Sequence, residues 1–204
     1  MTALVYRFPA LILALQALLP MQVAVAHPQN PNDSSPSLEV TLNFIQHKLN
    51  DQGIIRYMSY HTDPNYPQGK VWVYTRSVNI ASVSASSSSC IIAYHLIESF
   101  KLVPNETSPE TKLVTTEGDY GIPLKDVEIV KIEPMEQYLI DQNVLVGNTS
   151  IITSTQPKTW VLLAQRPHNI YNYLVFQDAD LADRVAKALT HAVELCGGGN
   201  SDPF

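Results

Sequence analysis

The chain is poor in charge, cysteine and glycine, and each shortage removes a class of function. Charged residues make up 16% of its 204 positions, against roughly 25% in an average domain. Only 13 are basic and 19 are acidic. That balance excludes nonspecific attraction to nucleic acid or to an anionic membrane surface. The two cysteines, Cys90 and Cys196, allow a single intramolecular pairing. Three of the eight glycines stand together at Gly197–Gly199. They follow a helical pattern, whereas glycines that cradle phosphate precede one. The six histidines form no HExxH or comparable pair, so the usual spacing of a zinc site is missing. The serine run Ser84–Ser89 contains no G-x-S-x-G turn. No cofactor and no metal is implied.

One long apolar run is present, Phe8–Leu19 (FPALILALQALL). It is too short for a comfortable membrane span. Arg7 precedes it and Ala24-Val25-Ala26 follows, the pattern of an export signal cut before His27. Residues 1–26 are thus expected to be a signal peptide and 27–35 a flexible leader. Removing the signal leaves 12 basic against 19 acidic residues, a net charge of −7, and no second run long enough to cross a bilayer. The localisation implied is periplasmic or extracellular. That compartment is oxidising, so Cys90 and Cys196 are expected to form a disulfide; the alternative is two buried free thiols. A bridge closing so long a loop contributes up to roughly 4–5 kcal/mol in the chain-entropy picture.

Local signals predict a single α+β domain over residues 36–197, with a flexible tail over 198–204. Ser35-Pro36-Ser37-Leu38 opens a helix whose seam is Leu38, Leu42, Ile45 and Leu49, and Gly53 stops it. The last helix lies within Phe176–Gly197. Asp178 or Asp180 caps its start. Leu181, Val185, Leu189, Ala192 and Cys196 share its broad apolar face, and Gly197 supplies the left-handed stop. Between the two helices the pattern has period two. Strands are expected at Ile54–His61, Lys70–Val83, Cys90–Val103, Thr111–Thr116, Val127–Ile132, Ser150–Ser154, Thr159–Gln165 and Tyr171–Phe176. The second of these is long and is expected to bend or split near Arg76–Asn79. Met135–Val146 is ambiguous and is read as an irregular strand. Short loops between successive strands predict an antiparallel sheet or partly closed barrel of about seven strands, with both helices packed on it.

Seven antiparallel strands followed by a C-terminal helix resemble the pleckstrin-homology-like fold, over Ile54–Cys196 and with an extra helix in front. The opening Ser37-Leu38-Glu39, the strand-opening Cys90 and the ending RVAKALTHAVELCGGG (Arg184–Gly199) resemble a group of uncharacterised exported bacterial proteins. The resemblance implies fold and export and carries no activity. Val40 stands where that group commonly has an acid, so no capping box forms.

Several residues are weighed as sites. Tyr57, Tyr60, Tyr66, Trp72 and Tyr74 are a dense aromatic group, and Tyr60, Tyr66 and Trp72 around the 63–69 loop are a candidate recognition surface. His61, Asp63 and His95 are the residues from which a hydrolase-type site would be assembled. The leading expectation is a noncatalytic exported domain binding a protein partner or a small apolar ligand. The competing expectations are such an enzyme and a structural subunit of a cell-envelope assembly.

Overall fold

A computed structural model describes residues 35–62, 71–103, 113–145 and 151–199. The signal, nearly all of the leader, Asp63, Tyr66 and the last five residues lie outside that set.

The first helix, α1 (Leu38–Asp51), starts on Ser37, whose hydroxyl accepts from the Val40 amide at 3.4 Å. Its expected seam is buried at Leu42, Ile45 and Leu49. Four strands then form an antiparallel meander: β1 (Ile54–Thr62), β2 (Val71–Ser86), β3 (Ile91–Leu102) and β4 (Val114–Pro123). A 3-10 turn at Leu124–Asp126 leads to β5 (Ile129–Pro134), which leaves this sheet. After helix α2 (Met135–Leu145), β6 (Ile151–Gln156) returns to the free side of β1. β7 (Trp160–Arg166) and β8 (Ile170–Phe176) then join β5. The sheets are thus five-stranded, in the order β4-β3-β2-β1-β6, and three-stranded, in the order β5-β7-β8. They remain two open sheets.

Four expectations are corrected. The described residues hold eight strands and not about seven. Met135–Leu145 is a helix and not a strand. Met135, Tyr138 and Leu139 meet the core at helical spacing, but the neighbouring Ile140 falls off that face and blurs the period. β2 runs unbroken through Arg76–Asn79. Its irregularity lies at Ala81–Ser84, where Ser82 has φ +53°. Finally, the strand expected at Thr111–Thr116 starts later and is longer, because β3 offers it ten consecutive register partners.

The length of β2 has a local cause. β1 pairs with it only as far as Asn79, which leaves the later residues without a described strand on that side. Two α1 side chains, one helical turn apart, replace the missing neighbour. Asn50 accepts from the Val83 amide at 3.1 Å and donates to the Val83 carbonyl at 3.3 Å, while Gln46 accepts from the Ala85 amide at 2.9 Å. Buried backbone polar groups need such partners. The edge of β8 is closed in the same manner. Its Tyr173 carbonyl accepts from the Tyr94 hydroxyl at 3.3 Å, and its Val175 carbonyl accepts from Gln52 at 2.9 Å.

The last helix, α3 (Ala179–Leu195), is capped by Asp178, which accepts from the Leu181 amide at 3.0 Å. Its small residues Ala182, Ala186 and Ala192 are buried, together with Val185, Leu189 and Val193. It packs on α1 and on the three-stranded sheet. In β7 the consecutive residues Val161, Leu162, Leu163 and Ala164 are all buried, so both faces of that sheet are covered.

Cys90 and Cys196 are joined, with Cα atoms 5.9 Å apart, and both are buried. A bridge of this kind fits an oxidising compartment. The helix end beside it is a complete Schellman stop. Gly197, at φ +79°, donates to Glu194 at 3.0 Å, and Gly198 donates to Val193 at 2.9 Å. The first residues expected to be loose tail are therefore held. Gly199 donates to the Val127 carbonyl at 2.7 Å, and a Cβ on Gly198 would run into the Leu124 carbonyl oxygen.

Candidate functional site

Alternation along β1 turns Ile55, Tyr57, Ser59 and His61 inward. The register places Arg76 opposite Tyr57, Tyr74 opposite Ser59 and Trp72 opposite His61. Paired residues of an antiparallel sheet share a face, so Trp72, Tyr74 and Arg76 point the same way, as their alternation predicts. On this face His61 Nε2 lies 2.9 Å from Ser59 Oγ, and Arg76 Nε donates to the same hydroxyl at 3.2 Å. The guanidinium can only donate, so Ser59 Oγ accepts from Arg76, while the imidazole tautomer sets the direction of its bond with His61 Nε2. The Arg76 guanidinium lies 5.9 Å from the Tyr74 ring centre and 5.7 Å from that of Phe100. Burial, and then the Arg76 charge, lower the His61 pKa to about 4, so the imidazole is neutral at pH 7.

A serine hydrogen-bonded to a neutral imidazole is the contact from which a nucleophile is built. Here it is buried: Ser59 is 0% exposed and His61 7%. Substrate has no access to the hydroxyl, and Arg76 already occupies one of its lone pairs. The Arg76–Ser59 bond ties β2 to β1.

Next to this chain, Glu98 of β3 sits among four tyrosines, Tyr57, Tyr94, Tyr138 and Tyr173. Burial raises the pKa of all four, and the Glu98 charge adds to each. Tyr94 and Tyr138 are pushed up to about 12. Tyr173 also hydrogen-bonds Glu98 and lies 5.7 Å, ring to ring, from Tyr138 of α2. Phenols held this far up remain donors at neutral pH. They glue the two sheets and α2 together.

The grouping of His61 with His95 that the competing enzyme reading requires does not occur. Their partners on β2 are Trp72 and Ala81, nine residues apart and of opposite parity. The two histidines therefore face opposite sides of the sheet, about 30 Å apart along the strand. His95 Nδ1 lies 2.8 Å from Asp119 on the outer face. The expected recognition residues are also divided. Tyr60 is opposite Val73, and Trp72 is opposite His61, so the two point to different faces and each is half-buried. Asp63 and Tyr66 lie outside the described residues. Among those residues no group of three or more His, Cys, Asp or Glu side chains is placed to hold a metal ion.

Two accessible features of the five-stranded sheet stand out among the described residues. A trough of about 400 Å³ crosses the outer face of the five-stranded sheet. Arg56, Met58, Thr75, Ser77, Ser99, Leu113 and Pro157 are among the residues that line it. The second feature is the margin of the same sheet. No described strand pairs with the outer side of β4. Where β3 ends and β4 begins, Phe100, Val103, Leu113 and Val114 stand exposed by 37–56%, and Tyr120 further along β4 by 45%. Phe100 and Val114 are cross-strand partners. Tyr120 stacks on Tyr94 with ring centres 5.7 Å apart. Sequence reasoning missed this group because period two shows which residues share a face but not whether anything covers it. No known protein family, curated protein or solved structure matches the chain.

Proposed function

We propose that this chain is an exported, noncatalytic binding domain whose protein partner docks along the β3–β4 margin. The observation that carries the reading is the coincidence, among the described residues, of a strand edge without a partner strand and a cluster of exposed apolar side chains, a combination that marks interaction surfaces. The signal-like residues 1–26, the disulfide and the resemblance to exported bacterial proteins support export. A four-strand meander, a second antiparallel sheet and a C-terminal helix support a pleckstrin-homology-like layout, with α2 and β6 as additions. The burial of Ser59 weighs against a hydrolase that uses the Ser59–His61 contact. A second reading, a small ligand in the trough, is favoured by its volume, which falls in the usual range for ligand sites.

The test is a photo-crosslinking residue placed at Val114 in the exporting host, with Lys187 on the exposed face of α3 as control. A discrete adduct from Val114 alone, diminished by Tyr120→Asp, is the expected result. Identical adducts from both positions, or none from either, would overturn the proposal. Native mass spectrometry addresses the second reading: an adduct of small mass that is released by Arg56→Glu places a ligand in the trough.

A further inference from the structure

The exposed edge of β4 carries information about the strand that fits it. β4 is ten residues long and lies in unbroken register with β3, from Phe100↔Val114 to Ile91↔Pro123. Proteins blunt such edges with lysine, proline, a bulge or a covering element. β4 has no lysine or arginine, its one proline is the terminal Pro123, and its pairing with β3 shows no register shift. Its only charges are Glu117 and Asp119. Both lie on the outer face, opposite Ile97 and His95 of β3, and His95 reaches the Asp119 carboxylate. The alternate positions Val114, Thr116, Gly118 and Tyr120 form the inner side of the edge.

We infer that β4 receives an extended segment of another protein as a sixth strand, with lysine or arginine on its outer side alternating with apolar residues on its inner side. This rests on the proposed partner-binding role and names the chemistry of the partner. Backbone hydrogen bonds to the edge that no described strand occupies supply affinity, and the alternating side chains supply selectivity. A basic side chain beside Glu117 or Asp119 forms an opposite-charge cross-strand pair, whereas an acidic one is repelled. The same rule disfavours a second copy of this chain. An antiparallel β4–β4 pairing centred on Gly118 sets Glu117 against Asp119, and neighbouring registers set each acid against itself.

The experiment uses the disulfide-intact protein and two blocked peptides, Val-Thr-Val-Lys-Val-Lys-Val and the same sequence with glutamate in place of lysine. Fluorescence anisotropy reads affinity, and hydrogen exchange reads protection of the β4 amides, with β2 as the folding control. The lysine peptide binds about tenfold tighter than the glutamate peptide, as two pairs changing sign imply, and it slows exchange in β4. Glu117→Lys combined with Asp119→Lys, both exposed, reverses the preference. Three results would overturn the inference: no protection of β4 by either peptide, equal binding that the charge reversal leaves unmoved, or β4 protection that appears with protein concentration alone. An adduct from Val114 that persists while both peptides fail removes the strand mechanism and leaves the partner-binding role standing.

Discussion

Replacing Asn50 by alanine tests whether α1 truly stands in for a strand. The side chain makes two bonds to Val83, at 3.1 and 3.3 Å, and Val83 is only 4% exposed. Truncation leaves a backbone amide and a carbonyl of a buried residue without their partner. Each orphaned group costs about 1–3 kcal/mol when water cannot replace the bond. Asn50 itself is exposed, so water recovers part of the loss, and alanine returns up to about 0.7 kcal/mol of helix propensity. The net expectation is a loss of roughly 1–2 kcal/mol. For a domain of this size that lowers the melting temperature by about 2–8 °C. Urea unfolding with the disulfide intact measures it. Asp51→Ala, at the exposed neighbouring position, corrects for helix propensity. Hydrogen exchange localises the effect, and the Val83 and Ala85 amides should lose protection before those of β3. If Asn50→Ala is as stable as Asp51→Ala and the Val83 amide keeps its protection, the surrogate-strand argument is wrong.

Other outcomes follow from the same geometry. Reducing the Cys90–Cys196 bridge, or replacing both cysteines by serine, lowers stability by up to about 4–5 kcal/mol because the closed loop is long; denaturation curves that coincide with and without reductant would contradict this. Gly198→Ala costs about 1–3 kcal/mol by overpacking against the Leu124 carbonyl, and Gly197→Ala costs about 1 kcal/mol through its φ of +79°. A larger loss at Gly197 would reverse the assignment of causes. The neutral, buried His61 makes stability depend on pH. Its folded pKa, about 4, lies below the ordinary histidine value of 6.5, so the unfolded chain binds the proton first. The contribution is complete above pH 6.5 and is lost as pH falls towards 4, by up to about 3 kcal/mol. His61→Gln, whose amide takes up no proton in this range, should flatten the urea midpoint between pH 7 and pH 4.5; an unchanged slope would sink this account.

Much of the local structure was legible because near neighbours encode it. Ser37 and Asp178 cap helices because a short oxygen-bearing side chain can reach free amides of the first turn. Gly197 ends α3 because it enters the left-handed region at low cost. Trp72, Tyr74 and Arg76 share a face because strand side chains alternate. Two cysteines allow one pairing. The site was far less legible. The inner-face group joins Ser59 and His61 of β1 to Arg76 of β2, Glu98 of β3, Tyr138 of α2 and Tyr173 of β8, and no spacing in the chain connects them.

Sequence alone therefore determined the α+β class, the antiparallel meander, the ends of α1 and α3 and the covalent tie, since each depends on periodicity, capping or counting. Tertiary structure decided that β6 returns to the far side of β1, that Met135–Leu145 coils, and that His61 and His95 face apart. It also decided that β4 ends the sheet with no described strand on its outer side. These outcomes depend on which surfaces meet across the whole chain. A strand's two faces are written in its alternating side chains, but what covers each face, and what pairs with each edge, is settled only when distant segments pack.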